Sequence, residues 1–483
     1  MNIYIKNITE VNCVCDALIL PFTEGDSGLY DHLDSNISGL VKKLFSKEFR
    51  GKQNDLILIP APENIKPERL LLVGLGKKEE LSNEHIRQAA GKAVVYLRDR
   101  GMKNIALSSH VISSYNLSPI DFIEGALLGV YTFEKYLTEK NNNKIDRLTL
   151  LSGDVKKLKD DLHWTETIAT SVCLARDLIN TPSNDMTPAQ LASTALSLRN
   201  NNLKVKVLEK KDMQKLGMGA LLSVAKGSHE PPKFIVLEYK DAKDSPVVII
   251  GKSVTFDSGG LSLKPADGME RMKDDMSGGA AVLGIMKAVS EMKMPVYLIG
   301  ILPATENLPG GSATKPGDVV KSIDGKTIEI INTDAEGRLI LADAIGYAKR
   351  FNPKAIIDIA TLTGACSIAL GNEAIAMMGN QRELMDKIKK AADKTYERVW
   401  EMPLFKEYKE YLKSDIADLK NNSGKSGALV TSAYFLYEFA GNIPWVHLDI
   451  AGTAWTEKDR PYIPKGASGI GVRLILNLIK ELK

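Results

Sequence analysis

Cysteine is scarce, with only Cys13, Cys15, Cys173 and Cys366 among 483 residues. Four such scattered thiols exclude a disulfide-stapled scaffold and a cysteine-based zinc site. The six histidines are dispersed and form no H-E-x-x-H pair. No uninterrupted apolar run approaches the ~18 residues that a membrane span requires. The opening MNIYIKNITE lacks a basic region followed by an apolar one, so no secretory signal is expected. A formal net charge of +3 is too small to make nucleic acid or an anionic membrane the expected main partner. The expectation is a cytoplasmic protein. What is present in quantity is ordinary: 44% hydrophobic and 25% charged residues exclude a disordered or collagen-like chain. At 483 residues the chain exceeds one compact core, so two or more domains are expected.

Short aliphatic runs bounded by Pro, Gly or charge read as strands at 17–21, 56–60, 70–73 and 148–151. Residues 84–98 and 119–139 return apolar side chains every three or four positions and read as helices. Together these predict an α/β domain over 1–155. A linker helix over 156–179 follows, opened by the lysine-rich stretch 156–161 and poor in residues that could bind the two halves together. From 180 to 483 the alternation repeats on a larger scale. Strands are predicted at 205–208, 234–237, 247–250, 296–301, 355–359 and 446–450, and helices at 188–198, 278–292, 339–350 and 383–397. Several strands are continuously aliphatic, as expected where helices cover both faces of a sheet. Asp324-Gly325 is a hairpin signal inserted into that pattern. The predicted fold class is α/β: a smaller N-terminal α/β domain and a larger C-terminal one with a mixed central sheet covered by helices. In such sheets ligands bind beyond the carboxyl ends of the strands, so the loops after the aliphatic runs are the ones to inspect.

Several familiar motifs fail. Gly251-Lys252-Ser253 resembles the tail of a phosphate-binding loop, but its first glycine would have to be residue 246, which is Pro246. Gly74-Leu75-Gly76 offers two glycines of a dinucleotide fingerprint, with Glu79 where the third belongs, and reads as a tight turn. Gly466-Ala467-Ser468-Gly469-Ile470 breaks the nucleophile-elbow pattern at its last position. His447, inside an aliphatic run, reads as a packed core histidine.

Two segments concentrate carboxylates at predicted strand ends. One runs from Lys252 through Asp257-Ser258-Gly259-Gly260 to Lys264 and Asp274-Asp275; the other is Asn332-Thr333-Asp334-Ala335-Glu336-Gly337-Arg338-Leu339. In extended chain, side chains two apart point the same way, so Asp334 and Glu336 can converge, with Gly337 permitting a sharp turn into a helix. Asp275 just precedes a predicted helix, where an anion is favoured. Bare, these carboxylates would repel one another and raise their own pKa values, so lysines or divalent metals must neutralise them. An all-oxygen set suits Mg²⁺, Mn²⁺ or Zn²⁺, and there are enough ligands for two ions and a metal-activated water.

The eight residues 332–339 match in full the signature of the leucyl aminopeptidase family of dizinc cytosol aminopeptidases, and the Lys252–Asp257 segment matches its second block. The resemblance extends from about Arg176 through Asn180-Thr181-Pro182 and 358–364 to 447–452 and 466–473, covering nearly all of the second half. One departure is Ser253, where many relatives carry glycine. The resemblance implies that Lys252, Asp257, Asp275 and Glu336 hold one metal, and Asp257, Asp334 and Glu336 the more exchangeable one. The ions would be Zn²⁺ or Mn²⁺, with Mg²⁺ an alternative at the exchangeable site. Lys252 would coordinate as a neutral amine; its alternative is a plain surface lysine. Lys264 would stabilise an oxyanion, or merely balance the acidic cluster. Arg338 would grip bicarbonate acting as general base, or pair with a neighbouring acid at a helix start. Met272, Thr361, Gly364 and Ala451 match positions of the family's hydrophobic substrate pocket, although core packing is an equal reading for Met272 and Ala451. Peptides with a free N-terminus and an apolar first residue, such as Leu or Met, would be substrates. Self-association into a homohexamer, a dimer of trimers, belongs to the same resemblance. Two other readings stay open: a hexameric scaffold or nucleic-acid-binding regulator, and a dipeptidase specialised for Cys-Gly.

Overall fold

The computed structural model describes residues 1–31, 35–45 and 48–482, with the side chains of 35–38 left out. The fold is α/β in two compact units. One comprises Met1–Ala169 and Lys458–Lys465, the other Thr170–Glu457 and Gly466–Lys483.

The first unit is built on a six-stranded sheet of β1 (Asn2–Lys6), β2 (Ala17–Phe22), β3 (Leu56–Pro60), β4 (Arg69–Gly74), β5 (Asn104–Ser108) and β6 (Arg147–Leu151). Their order is β1-β6-β5-β2-β4-β3, all parallel except edge strand β3. β1 and β5 are not among the strands read from the sequence. The helix expected over 119–139 ends at Gly129. Beyond it Tyr136 and Leu137 are exposed, so the apolar period continues without burial, and an unburied helical turn is marginal in water. The late segment Lys458–Lys465 belongs to this unit. Tyr462 Oη donates to Glu84 in the helix Asn83–Arg98 at 2.9 Å. A Cβ on Gly91 of that helix would stand 2.1 Å from the carbonyl oxygen of Pro461, so only glycine admits the segment.

The second unit centres on β7 (Leu203–Leu208), β8 (Lys233–Lys240), β9 (Val247–Gly251), β10 (Ser253–Asp257), β11 (Tyr297–Asn307), β14 (Ala355–Ala360), β15 (Ile375–Gly379), β16 (Val399–Glu401) and β18 (Trp445–Asp449). The Asp324-Gly325 hairpin forms as predicted: β12 (Val319–Lys321) and β13 (Thr327–Glu329) join β17 (Leu419–Lys420) in a small separate sheet. The main sheet runs β16-β15-β18-β14-β9-β11-β8-β7, and β10 also pairs with β11. Its middle four strands β18, β14, β9 and β11 are parallel, and antiparallel pairs flank them. Val248, Ile250, Ile299, Ile301 and Ile356 pack with the helix Gly337–Ala348, while the alternating Ile249, Leu298 and Ile357 are buried on the opposite face. Burial on both faces explains the unbroken aliphatic runs. Because the middle strands share one direction, their carboxyl ends gather Lys252, Asp257, Asn307, Thr361 and Asp449 at one edge of the sheet.

Candidate metal centre

Lys252 interrupts what would otherwise be a continuous strand. Its backbone N–H donates to Ile359 O at 3.0 Å and its carbonyl accepts from Gly279 N at 2.8 Å, which fixes it between β14 and the helix Ser277–Glu291. The side chain is buried. Its Nζ donates to Asp275 Oδ1 at 2.7 Å and to Thr361 O at 2.9 Å, and stands 2.8 Å from Glu336 Oε1. Asp275 lies in the 3₁₀ turn Met269–Met276 and also accepts from Thr361 Oγ1 at 2.8 Å.

Asp257 closes β10. Its Oδ1 accepts from Gly259 N at 2.9 Å and from Asn307 Nδ2 at 2.8 Å, while Lys264 Nζ stands 2.9 Å from Oδ2 and 2.5 Å from Asp334 Oδ1. Asp257, Asp334 and Glu336 bring ligand oxygens within 4.8 Å of one another. They converge by a different route from the extended chain expected of 332–336. The segment is a turn: Asn332 accepts from Ala335 N through its carbonyl and from Asp334 N through Oδ1, and Glu336 already has helical dihedrals. The helix begins at Gly337, whose φ is not positive, so no sharp turn demands the glycine. A Cβ there would instead stand 2.6 Å from Lys252 Cε. Gly337 is the opening through which the lysine reaches the cluster.

Arg338 is buried beside the carboxylates. Its Nη1 donates to Asn421 O at 2.6 Å, and its Nε has no hydrogen-bond partner among the described residues. Burial lowers its pKa to about 10, against the pull of Glu336, Asp449 and Asp334. Of the residues matched to a substrate pocket, Thr361 is joined to the cluster through both its hydroxyl and its carbonyl. Met272 lies half-buried in the 3₁₀ turn, Gly364 opens a helix at an exposed position, and Ala451 packs against the apolar core. No hydrogen bond or ion pair ties those three to the cluster among the described residues.

The electrostatics follow from crowding. Burial and then the Glu336 charge raise Asp257, burial raises Asp275 well above the ordinary carboxylate range, and burial with Glu336 lifts Asp334 to about 6. Glu336 goes the other way: burial opposes its charge, but Lys252 and Lys264 together hold it below its usual value. Burial also opposes the charge on both lysines, yet the facing carboxylates keep each a firm cation. A neutral, coordinating Lys252 therefore requires added positive charge at the site. Asp275 Oδ2 and Glu336 Oε2 are buried with no hydrogen-bond partner among the described residues. Buried carboxylate oxygens without a donor are costly. Hard or borderline divalent ions would satisfy them, so this oxygen-rich set fits a pair of such ions.

Sequence reasoning did not single out Asn307. Its amide donates to Asp257 and, at 3.0 Å, to Thr333 O, tying the two acidic segments together. A polar amide ending a buried strand was the available signal. Among the described residues, no helix is long and apolar enough to cross a membrane.

Known proteins place the chain. The model of the cytosol aminopeptidase family's catalytic domain matches residues 173–476, and that of its N-terminal domain matches residues 19–140. A probable cytosol aminopeptidase of Geotalea uraniireducens is 47% identical over 482 residues, covering 97% of each chain. One from Geobacter sp. (strain M21) is 45% identical over 100% of both. Among solved structures, a tomato leucine aminopeptidase variant superposes with TM-score 0.91 at 32% identity, covering 100% of this chain and 96% of that one. A bottromycin maturation enzyme in complex with Mn superposes with TM-score 0.88 at 30% identity, covering 97% and 100%. With both domain models matched in order and relatives aligned end to end, the chain belongs to the cytosol aminopeptidase family and is a metal-dependent aminopeptidase.

Proposed function

We propose that the protein removes the N-terminal residue of peptides, preferring leucine, methionine and other apolar residues, with Lys264 and Arg338 as catalytic residues. The observation that carries this is the convergence of Asp257, Asp334 and Glu336 at the strand ends, with two lysines paired to them and two carboxylate oxygens lacking a donor. When bound by Lys252, Asp257, Asp275, Asp334 and Glu336, two divalent ions (Zn²⁺ or Mn²⁺, with Mg²⁺ at the exchangeable position) supply an activated water and a Lewis acid.

Lys264, a firm cation at the open side of the cluster, donates to the scissile carbonyl oxygen as it gains negative charge. Arg338 presents a planar fork, with Nε uncommitted, that would hold a small oxyanion such as bicarbonate, which would supply a general base there. The free α-amine of the substrate orients the first peptide bond over the cluster. Met272, Thr361, Gly364 and Ala451 line the slot for the first side chain, which discriminates weakly among aliphatics. The family relationship extends the proposal to a cytoplasmic homohexamer.

The test is leucine release from an unblocked leucyl amide before chelation, after it, and after Zn²⁺ or Mn²⁺ is restored. Activity should vanish and return. A folded, metal-replete protein that releases no leucine would overturn the assignment.

A further inference from the structure

At the carboxyl end of β18, Asp449 is fully buried, and its two oxygens collect three donors from two different turns. They accept from Leu362 N at 3.2 Å, Thr363 Oγ1 at 2.8 Å and Ala451 N at 3.1 Å. One carboxylate thus ties the turn after β14 to the turn after β18. The first of these turns carries Thr361, which receives the Lys252 amine on its carbonyl and gives its hydroxyl to Asp275.

Two residues back, on the same face of the strand, buried His447 bonds through Nδ1 to Asp358 Oδ1 at 2.5 Å. Trp445 Nε1 holds the other oxygen of Asp358 at 2.7 Å. Burial opposes a charge on His447, but Asp358 and then Asp449 overcome it and raise its pKa, while Arg338 acts in the opposite sense. Asp449 in turn supports the charge of Arg338. Buried ionisable side chains therefore line up from the middle of the sheet to its edge: Asp358, His447, Asp449, Arg338. None of the first three is among the proposed ligands, and apolar residues would brace a sheet at least as well.

We propose that Asp449, backed by His447 and Asp358, is a positioning residue of this aminopeptidase: it holds the 361–364 turn in register with the carboxylate cluster and sets a negative charge that acts on the Arg338 guanidinium. This rests on the role given to Arg338 above. Asp449 is not among the residues proposed to hold metal or substrate and acts through its neighbours.

Asp449→Asn keeps the shape and one acceptor oxygen, and the Thr363 hydroxyl can rotate to meet the new amide. It removes the negative charge that favours the charged form of Arg338. The expected result is a kcat for leucine release lower by about 10–100-fold, with any change in KM, carried by Thr361 and Gly364 on the same turn, smaller than the change in kcat. In an Arg338→Ala background the same substitution should cost almost nothing further, because residues acting as a unit are non-additive. Equal fold-losses in the two backgrounds, or a change confined to KM, would overturn the inference while leaving the role of Arg338 standing. Arg338→Ala with an unaltered kcat would remove that role and this inference with it. If Asp449→Asn does not fold, His447→Gln, whose amide can still donate to Asp358, takes its place in the same comparison with the same two outcomes.

Discussion

Replacing Gly337 by alanine tests how the centre is assembled, because two effects of known size oppose each other. Gly→Ala within a helix stabilises by at most ~1 kcal/mol. Against that, the new Cβ would stand 2.6 Å from Lys252 Cε and 2.8 Å from its Nζ, where relaxed contacts need ~3.5–4.0 Å. The lysine must retreat by roughly 1 Å. Its amine now lies 2.7 Å from Asp275, 2.8 Å from Glu336 and 2.9 Å from Thr361 O, so such a retreat takes it out of bonding range of most of them. Removing one partner of a buried ion pair outright costs ~3–5 kcal/mol, and partial loss about half that, so after the helix gain the net expectation is about 0.5–1.5 kcal/mol of destabilisation. A misplacement of ~1 Å at a catalytic constellation costs on the order of 100-fold in rate. Urea unfolding measures the first quantity and leucine-release kinetics the second. A Gly337→Ala protein that gains about 1 kcal/mol and keeps its kcat would refute the reasoning, since Lys252 could not then pass where the geometry puts it.

Asn307→Ala removes the amide that bridges Asp257 and Thr333, and metal affinity measured by competition with a chromophoric chelator should weaken by about 10–100-fold. Lys264→Met leaves Asp257 and Asp334 without their cation and should lower kcat by about 100–1000-fold, read in the same leucine-release assay. Burial pushes the Asp343 carboxyl up to about 7, although the Leu221 and Ile323 amides point at it. Its folded value exceeds the unfolded ~3.9, so its contribution to stability is complete below about pH 4 and is lost as the pH rises through 7. Between about pH 5 and pH 8, wild type should therefore lose more stability by urea unfolding than Asp343→Asn, which cannot ionise; equal losses would refute this.

Much of the centre was legible because its signals are local. The acidic segment 332–339 is contiguous and Lys252 directly follows an aliphatic run, so placing that lysine at a strand end needed only the period of the sheet; Asp257, read in a loop after the same run, ends a strand of its own, Ser253–Asp257. What stayed hidden depends on distant pairing. Gly337 suggested a turn, and only the folded chain shows that it makes room for a lysine 85 positions earlier. Asn307 ends a strand predicted only as far as residue 301, so its polar tip fell outside the pattern, whereas Asp449 lies within the predicted strand 446–450 and nothing local marks its partners in the turn after β14. The helix expected over 119–139 failed for the complementary reason: its periodicity is real as far as Gly129, but burial ends there.

The segment Lys458–Lys465 carries a consequence for how the chain is made. A ribosome delivers residues from the N-terminus onward, and all six strands of the first sheet are out once Leu151 has emerged. The carbonyl of Pro461 that settles against Gly91, and the hydroxyl of Tyr462 that meets Glu84, arrive roughly three hundred residues later. Until then the nascent first unit waits with that face of its helix bare. A proteolytic nick within 458–465 would likewise loosen a unit whose last strand lies far upstream in the chain. The finishing stitch of the first half is written near the end of the second.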